Sequence, residues 1–582
     1  MRRAIRWLSV AALGVCASAP VAARAQTAAD APREGASWVD STLASLTLRE
    51  KAAQMVWPTI LGDFAPEDGG QWRRIREQLE RERVGGYTVS VGSPTEIAAK
   101  LNAMQRLSRV PLLFGADFEF GAGYRARGGY FLPNAIDLGG ATVFPPQMAV
   151  GATGDTALAY RQGEVTAREA RAMGVHVAYA PILDVNNNAA NPVINTRSYG
   201  EDPHLVAAMG RNFIRGLQEH GMIATGKHFP GHGDTGVNSH LALPSVNVSR
   251  ARLDSVELVP FRAAVAADVG AIMSFHGAMP ALDASGVPGT LSKKVLTGLL
   301  RDEMGFRGLI ISDAMDMRGV LDRFGAVEAA KRAVEAGADV LIQPDDVGGM
   351  IDAVVAGVGE RRYAESRLDA SVRRILEAKR RMGLHRRRTV SLDSVRLLVG
   401  DSASRSAARA IAERSITLVR DEGKLLPLAG VSAEARVVAV TYARRTDLGA
   451  GTTFDAELRS RFPGLRAEVV AAEDAGANYA RLLALADSAD LVIVSSYMGQ
   501  SWDAQSVGAP RAFIDFARQV AAPGRRAVLV SFGNPYLVQQ LPHVPTYVVA
   551  WGGVPASQRA AARALLGRIP FAGQTPTMVL GR

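Results

Sequence analysis

The chain has 582 residues, 48% of them hydrophobic, and a formal net charge of +10. That length and composition fill large cores and predict two or three domains. Four of the excess positive charges fall in residues 1–25, which hold no acid, and no basic run is interleaved with aromatics, so nothing points to nucleic acid as a partner.

At the N-terminus, Arg2, Arg3 and Arg6 flank an apolar run from Trp7 to Val15, and small residues end in Ala23-Arg24-Ala25 before Gln26. This is the layout of a secretory signal peptide over residues 1–25, and it predicts a secreted or periplasmic protein. The apolar run is too short to span a membrane, and no other segment approaches that length. The one cysteine, Cys16, lies inside this signal behind Val15, where a lipoprotein signal carries a small residue. Cleavage after Ala25 is therefore expected, leaving a mature chain with no thiol and no disulfide. Residues 26–36, with Ala, Pro and Gly, read as a flexible leader.

From Trp38 the pattern turns helical and leads to a first strand candidate at Met55 to Pro58. Seven more short apolar runs follow, at Gly85 to Val91, Pro111 to Ala116, Val175 to Pro181, Ile223 to Phe229, Ala271 to Phe275, Gly308 to Ser312 and Asp339 to Gln343, with amphipathic helical stretches between them. Eight strands alternating with helices imply a parallel sheet that closes into a (β/α)8 barrel of the TIM type over residues 37–388. Such a barrel gathers function at the C-terminal ends of its strands. Asp117, His276, Asp313 and Pro344-Asp345 sit immediately after one of the runs, Lys227-His228 at the end of one, and Asp184 three residues past one.

A helix ending at Gly383 closes the first domain, and residues 389–425 read as a helical linker. Strand candidates at Val437 to Tyr442, Leu491 to Tyr497, Ala527 to Phe532 and Tyr547 to Trp551 then alternate with helices, which predicts a smaller αβα sandwich over residues 426–582. That domain shows no clustered acid pair, metal spacing or phosphate loop, so a structural or binding role is expected of it.

The densest chemistry is Lys227-His228-Phe229-Pro230-Gly231-His232-Gly233-Asp234-Thr235, followed by Gly236-Val237-Asn238-Ser239-His240. Its Pro and Gly content marks a loop, and loops with several titratable groups are where chemistry sits. His228 and His232 are four apart, a zinc-ligand spacing on a helix, but Pro230 and Gly231 forbid the helix and no glutamate follows His228. Neither a metal nor any other cofactor is expected.

KHFPGHGDT with its trailing SH resembles the signature of family 3 glycoside hydrolases, and within it the branch of β-N-acetylglucosaminidases that use a histidine as acid/base. The likeness runs from about Leu46 to His385 and more weakly through the C-terminal third. It implies a retaining exo-glycosidase with a carbohydrate substrate, cell-wall fragments or chitooligosaccharides. It also implies that Asp313, in Ile310-Ile311-Ser312-Asp313-Ala314, is the nucleophile, with Asp316 set deeper in the following turn, and that His240 is the acid/base. The resemblance further places Lys227, His228, Asp117, Arg125, Arg197 and His276 in the pocket for the terminal sugar. Arg197 also admits a purely structural reading as a salt bridge to Glu201 or Asp202, and His276 one as a packed core histidine.

Two departures stand out. The family pairs its histidine with an aspartate two residues earlier, and this chain has Asn238, with Asp234 on the same loop as a candidate substitute. The usual DQEGG is DFEFG from Asp117. An unperturbed imidazole titrates near pH 6.5 and suits a group that gives and takes a proton; an amide oxygen can fix its tautomer but cannot stabilise its charge. Alternatives from the residues are a β-glucosidase or broad β-hexosidase, a noncatalytic glycan-binding protein, and a phosphorylase in which phosphate replaces water. The oligomeric state is left open.

Overall fold

The structure is a computed structural model and describes residues 30–127, 139–474, 478–499 and 506–580. The signal segment 1–25 lies outside the described residues. The expected flexible leader overlaps a helix, Asp30–Ala44, which continues into the first domain.

The first domain is built on β1 (Val56–Trp57), β2 (Thr59–Ile60), β3 (Gly86–Val89), β4 (Leu113–Ala116), β5 (Val177–Ala178), β6 (Ile223–Phe229), β7 (Ala271–Ser274), β8 (Leu309–Ile311) and β9 (Leu341–Ile342). β2 through β8 pair in sequence order and all in parallel. β1 and β2 flank Pro58, which has no N–H to give a ladder, although its carbonyl accepts from Thr88 N–H at 2.9 Å. β1 pairs with β9, and Ile311 bridges to Val340, so the ring closes. Eight strands were expected, and nine segments appear because the proline splits the first. Every residue of β3 to β9 is buried, as a sheet covered on both faces requires.

The seam between β8 and β9 is held by Asp339, which is fully buried. Its carboxylate accepts from Ile310 N–H at 2.9 Å, from Ser371 Oγ at 2.5 Å and from the guanidinium of Arg374 at 3.0 Å, with Arg301 alongside. One acid thereby ties the barrel wall to two outer helices, Glu365–Arg381 and Lys294–Glu303. Gly383, at φ +75°, turns the chain away two residues past the first of these.

The second domain carries β10 (Thr417–Asp421), β11 (Val437–Ala443), β12 (Arg466–Ala471), β13 (Leu491–Ser496), β14 (Ala527–Ser531) and β15 (Thr546–Val549), in the order β10-β15-β14-β13-β11-β12. Only β10 runs antiparallel to its neighbour. The four expected strands are present and form the centre. The two that sequence reading missed are the edges, and β10 falls inside the stretch expected to be a helical linker. An edge strand is paired on one side only, so its residues need not be apolar; β12 is largely exposed, with Val469 69% exposed. Apolar clusters fill both faces of this sheet. Met148, Ala149 and Ala152, from the barrel domain's helix Gln147–Ala152, belong to one of them, so the two domains share a core. Among the described residues no helix is long and apolar enough to cross a membrane.

Removing the seam acid strands the surrounding guanidiniums without a counter-charge. Asp339→Ala is expected to lower stability by about 3–5 kcal/mol, read as a fall in Tm; an unchanged Tm would show that the barrel closes without it.

Candidate active site

The strand tips of the barrel hold a chain of alternating charges. Lys227, inside β6, is 98% buried, and its Nζ lies 3.0 Å from Asp117 Oδ1 and 2.8 Å from Glu119 Oε1. Asp117 follows β4 directly and takes Arg125 Nη2 on its second oxygen at 2.5 Å. Glu119 accepts a two-pronged bond from Arg197, Nε at 2.8 Å and Nη2 at 2.7 Å. Burial by itself would raise both acids, but Lys227 and Arg125 hold Asp117 far below the usual carboxylate range, and Arg197 and Lys227 hold Glu119 at about 2. Burial would likewise lower Lys227, and Glu119 and Asp117 outweigh it so that its pKa rises. All five groups are therefore ionised across the working pH range, with their remaining donors and lone pairs available to hydroxyls.

This arrangement corrects one alternative reading of Arg197. Its partner is Glu119, whereas Glu201 bonds Tyr536 and Asp202 caps the helix Pro203–Glu219. Glu119 itself was missed. The signal lay in its spacing, two residues past a strand-end aspartate, which sets both acids toward the same lysine.

Asp313 stands two residues beyond β8, and its Oδ1 accepts from Ala314 N–H at 2.8 Å. Burial pushes its pKa up, and His228, His276 and His240 together bring it below the ordinary value. Asp316, expected to lie deeper in the turn, is exposed instead. Although the residue as a whole is exposed, the protein packed around its carboxyl and the neighbouring Asp345 push it up to about 6.

His240 sits on the loop after β6 with its Nδ1 2.9 Å from Asn238 Oδ1. The same oxygen accepts from His240 backbone N–H at 3.0 Å. A backbone N–H can only donate, so the amide atom facing it is the oxygen, and the ring must carry its proton on Nδ1. Nε2 is then the nitrogen that exchanges a proton. Asp234 does not substitute for the missing aspartate, because its carboxylate faces Arg252 at 4.0 Å. Burial lowers the pKa of His240, and Asp313 raises it only in part. The two catalytic candidates thus act on each other's charge within one pocket.

The other histidines divide by role. His228 places Nδ1 2.7 Å from Asp184 Oδ2, which leaves Nε2 for the pocket. Asp184, fully buried, also accepts from His232 N–H at 2.7 Å; it was seen as a strand-end residue but not as the acid that aims His228. His232 spends both ring nitrogens inside the loop, on Thr235 Oγ1 and Ser239 Oγ at 2.9 Å each, and burial lowers its pKa to about 3. It braces the loop that carries His240. His276 likewise uses Nδ1 on Thr290 Oγ1 at 2.7 Å and Nε2 on the Ala314 carbonyl at 2.9 Å. Both ring nitrogens thus hold the turn after Asp313, with the ring close enough to act on the Asp313 charge.

A strand-end carboxylate, an imidazole with a fixed tautomer and a clamp of alternating charges, all at the mouth of a (β/α)8 barrel, are the groups that glycoside hydrolysis requires. Residues 47–378 match the glycosyl hydrolase family 3 N-terminal domain and residues 416–580 the family 3 C-terminal domain. The chain belongs to glycoside hydrolase family 3. Among curated relatives, it is 30% identical to a β-N-acetylglucosaminidase/β-glucosidase of Cellulomonas fimi over 93% of this chain and 96% of that one. It is 32% identical to β-hexosaminidase A of Pseudoalteromonas piscicida over 61% and 62%. Among solved structures, a family 3 β-N-acetylglucosaminidase from Paenibacillus sp. str. FPU-7 superposes with a TM-score of 0.80 at 33% identity, covering 92% of this chain and 99% of that one. The β-glucoside phosphorylase BglX bound to 2FGlc superposes with a TM-score of 0.81 at 26% identity, covering 94% and 96%.

Glu119→Gln keeps the shape of the clamp but removes the charge that orients Arg197 and Lys227. Misplacing such groups by an ångström costs about 100-fold, so kcat/KM is expected to fall by that order; a change under threefold would remove Glu119 from the clamp.

Proposed function

We propose that the chain is a retaining exo-β-N-acetylglucosaminidase that removes terminal β-linked N-acetylglucosamine from cell-wall fragments or chitooligosaccharides. The observation that carries this reading is the Asn238–His240 pair beside Asp313, an imidazole acid/base with its tautomer fixed. The hexosaminidase names of the relatives support the acetamido preference, and the N-terminal Ala23-Arg24-Ala25 pattern supports export to the periplasm or beyond.

In the first step the free carboxylate oxygen of Asp313 attacks the anomeric carbon. The bond to the leaving oxygen breaks, and His240 Nε2–H gives that oxygen its proton. A glycosyl-aspartate forms. In the second step neutral His240 takes a proton from water, the resulting hydroxide attacks the anomeric carbon, and Asp313 leaves as carboxylate. Asn238 accepts from Nδ1–H throughout. Arg125, Asp117, Lys227, Glu119, Arg197 and His228 hold the sugar's hydroxyls and its acetamido oxygen.

The pH dependence follows from the two shifts. The reactive form needs ionised Asp313, which persists to below the ordinary aspartate value, and protonated His240, which is lost as pH rises through a pKa set below 6.5. The alkaline limb of kcat/KM is therefore expected below that of free imidazole. Asn238→Asp should move this limb upward by about one pH unit or more, because an adjacent opposite charge favours imidazolium; a stationary limb would dissociate it from His240.

On a chromogenic N-acetyl-β-glucosaminide, Asp313→Asn is expected to abolish turnover. His240→Ala should lose about 100- to 10,000-fold with a poor leaving group and far less with an acidic one such as dinitrophenolate. Equal losses on both would remove His240 as the acid. Preference for the aryl β-glucoside would instead make the chain a β-glucosidase, and sugar binding without turnover would make it a noncatalytic glycan-binding protein. Because a neutral base does not repel an anion, the same assay with added phosphate reads sugar 1-phosphate against free sugar.

A further inference from the structure

The turn that presents Arg197 is held from the other domain. Asn195–Arg197 is a single 3-10 turn whose first residue is fully buried at φ +42°, a left-handed conformation that asparagine tolerates. Asn195 Oδ1 accepts from Thr196 N–H at 2.9 Å, which turns its amide nitrogen outward. That nitrogen donates to Asn534 Oδ1, in the loop after β14, at 3.2 Å. The Asn534 amide is fixed in turn: Oδ1 accepts from Tyr536 N–H and Nδ2 donates to the Val507 carbonyl, both at 3.1 Å.

The far side of the turn is gripped as well. Four residues after Arg197, Glu201 accepts from Tyr536 OH at 2.6 Å and from Met578 N–H at 3.1 Å, and its own N–H donates to the Pro576 carbonyl at 3.0 Å. Tyr536 OH also accepts from Asn186 Nδ2 at 2.9 Å, two residues past the Asp184 that aims His228. Tyr536 is 96% buried, so the bonds of its hydroxyl are largely shielded from water. Loops at the carboxyl end of the second sheet, where such folds place their functional loops, thus clasp the segment from 195 to 201 at both ends. From the clasp the path to the sugar clamp is one side chain long, because Arg197 alone makes the two-pronged bond to Glu119.

We propose that the second domain is a positioning part of the sugar pocket, with Asn534 and Tyr536 setting the angle at which Arg197 enters the clamp. The inference rests on the glycosidase reading for its substrate. Neither residue touches the sugar; both act through Arg197. Without them the turn still folds, because its internal bonds and those to the segment after β5 remain, from Ser198 Oγ to the Asp184 carbonyl at 2.6 Å and from Asn186 N–H to the Gly200 carbonyl at 2.9 Å, but Arg197 enters at a wider range of angles and holds the sugar more weakly.

The test compares Asn534→Ala, Tyr536→Phe and Arg197→Ala, singly and as the two doubles containing Arg197→Ala, on a chromogenic N-acetyl-β-glucosaminide, with Tm measured for each. Tyr536→Phe removes only a hydroxyl and guards against misfolding of the other variant. Each second-domain single is expected to raise KM about tenfold, the equivalent of one buried hydrogen bond, with a smaller change in kcat. In the Arg197→Ala background neither is expected to cost more, because residues acting through one another are not additive. A lowered Tm with unchanged KM, or losses that add fully in the doubles, would reduce the clasp to a domain staple and overturn the proposal. If wild type turns over no aryl glycoside, the functional reading fails separately, and the same five variants are compared by their Kd for N-acetylglucosamine and glucose in titration calorimetry, with the same two outcomes deciding.

Discussion

The pocket depends on the relay Arg125–Asp117–Lys227–Glu119–Arg197, in which Lys227 and Glu119 are buried and the other three half-buried. Taking these charges largely out of water costs more than any one pair regains, so each is stable only with its neighbours in place. The relay alternates in sign and ends in a guanidinium on each side, with one more cation than anion. It is rigid because no member can leave without stranding another. On the proposed reading, a sugar meets fixed donors and acceptors rather than solvated side chains that must be ordered on binding, and that preorganisation favours affinity.

The same logic separates the two proposed catalytic groups, Asp313 and His240, from the relay. Asp313 is surrounded by imidazoles rather than by permanent cations, so it is ionised but not locked into an ion pair. His240 is oriented by an amide rather than by a carboxylate. The amide fixes which nitrogen moves the proton and leaves the ring readily neutral. The other two histidines of this neighbourhood, His232 and His276, have both ring nitrogens engaged and serve the backbone that carries His240 and Asp313. Four histidines of one residue type thus play three roles, distinguished by what occupies Nδ1 and Nε2.

The two-domain architecture bears on the chemistry through one short segment. The barrel's strands alone position Asp117, Lys227 and Asp313, because Lys227 lies inside a hydrogen-bonded strand, Asp117 follows one directly and Asp313 stands two residues past one. Arg197 does not; it stands on a loop between β5 and β6 with no strand of its own, and a loop needs external contacts to hold a side chain to sub-ångström precision. The second domain lies where those contacts are made, and the shared apolar cluster around Met148 and Ala149 keeps the two units in register.

The sequence by itself determined the barrel, the central strands of the second sheet and most of the pocket, because parallel strands buried on both faces read as unbroken apolar runs and each run ends at the catalytic face. Asp313, Lys227 and His228 stood out for that reason, whereas His240 was singled out by the resemblance of its loop to the family signature. The edge strands β10 and β12 were not, since pairing on one side leaves a strand free to be polar. Only the tertiary structure decided that Arg197 pairs with Glu119 rather than Glu201, that Asp234 turns to Arg252, that Asp184 aims His228 and that His276 serves the backbone. Each of those choices is made between residues far apart in the chain or by the direction of a single side chain. Local spacing carries no information about either, because the partners meet only once the barrel has closed.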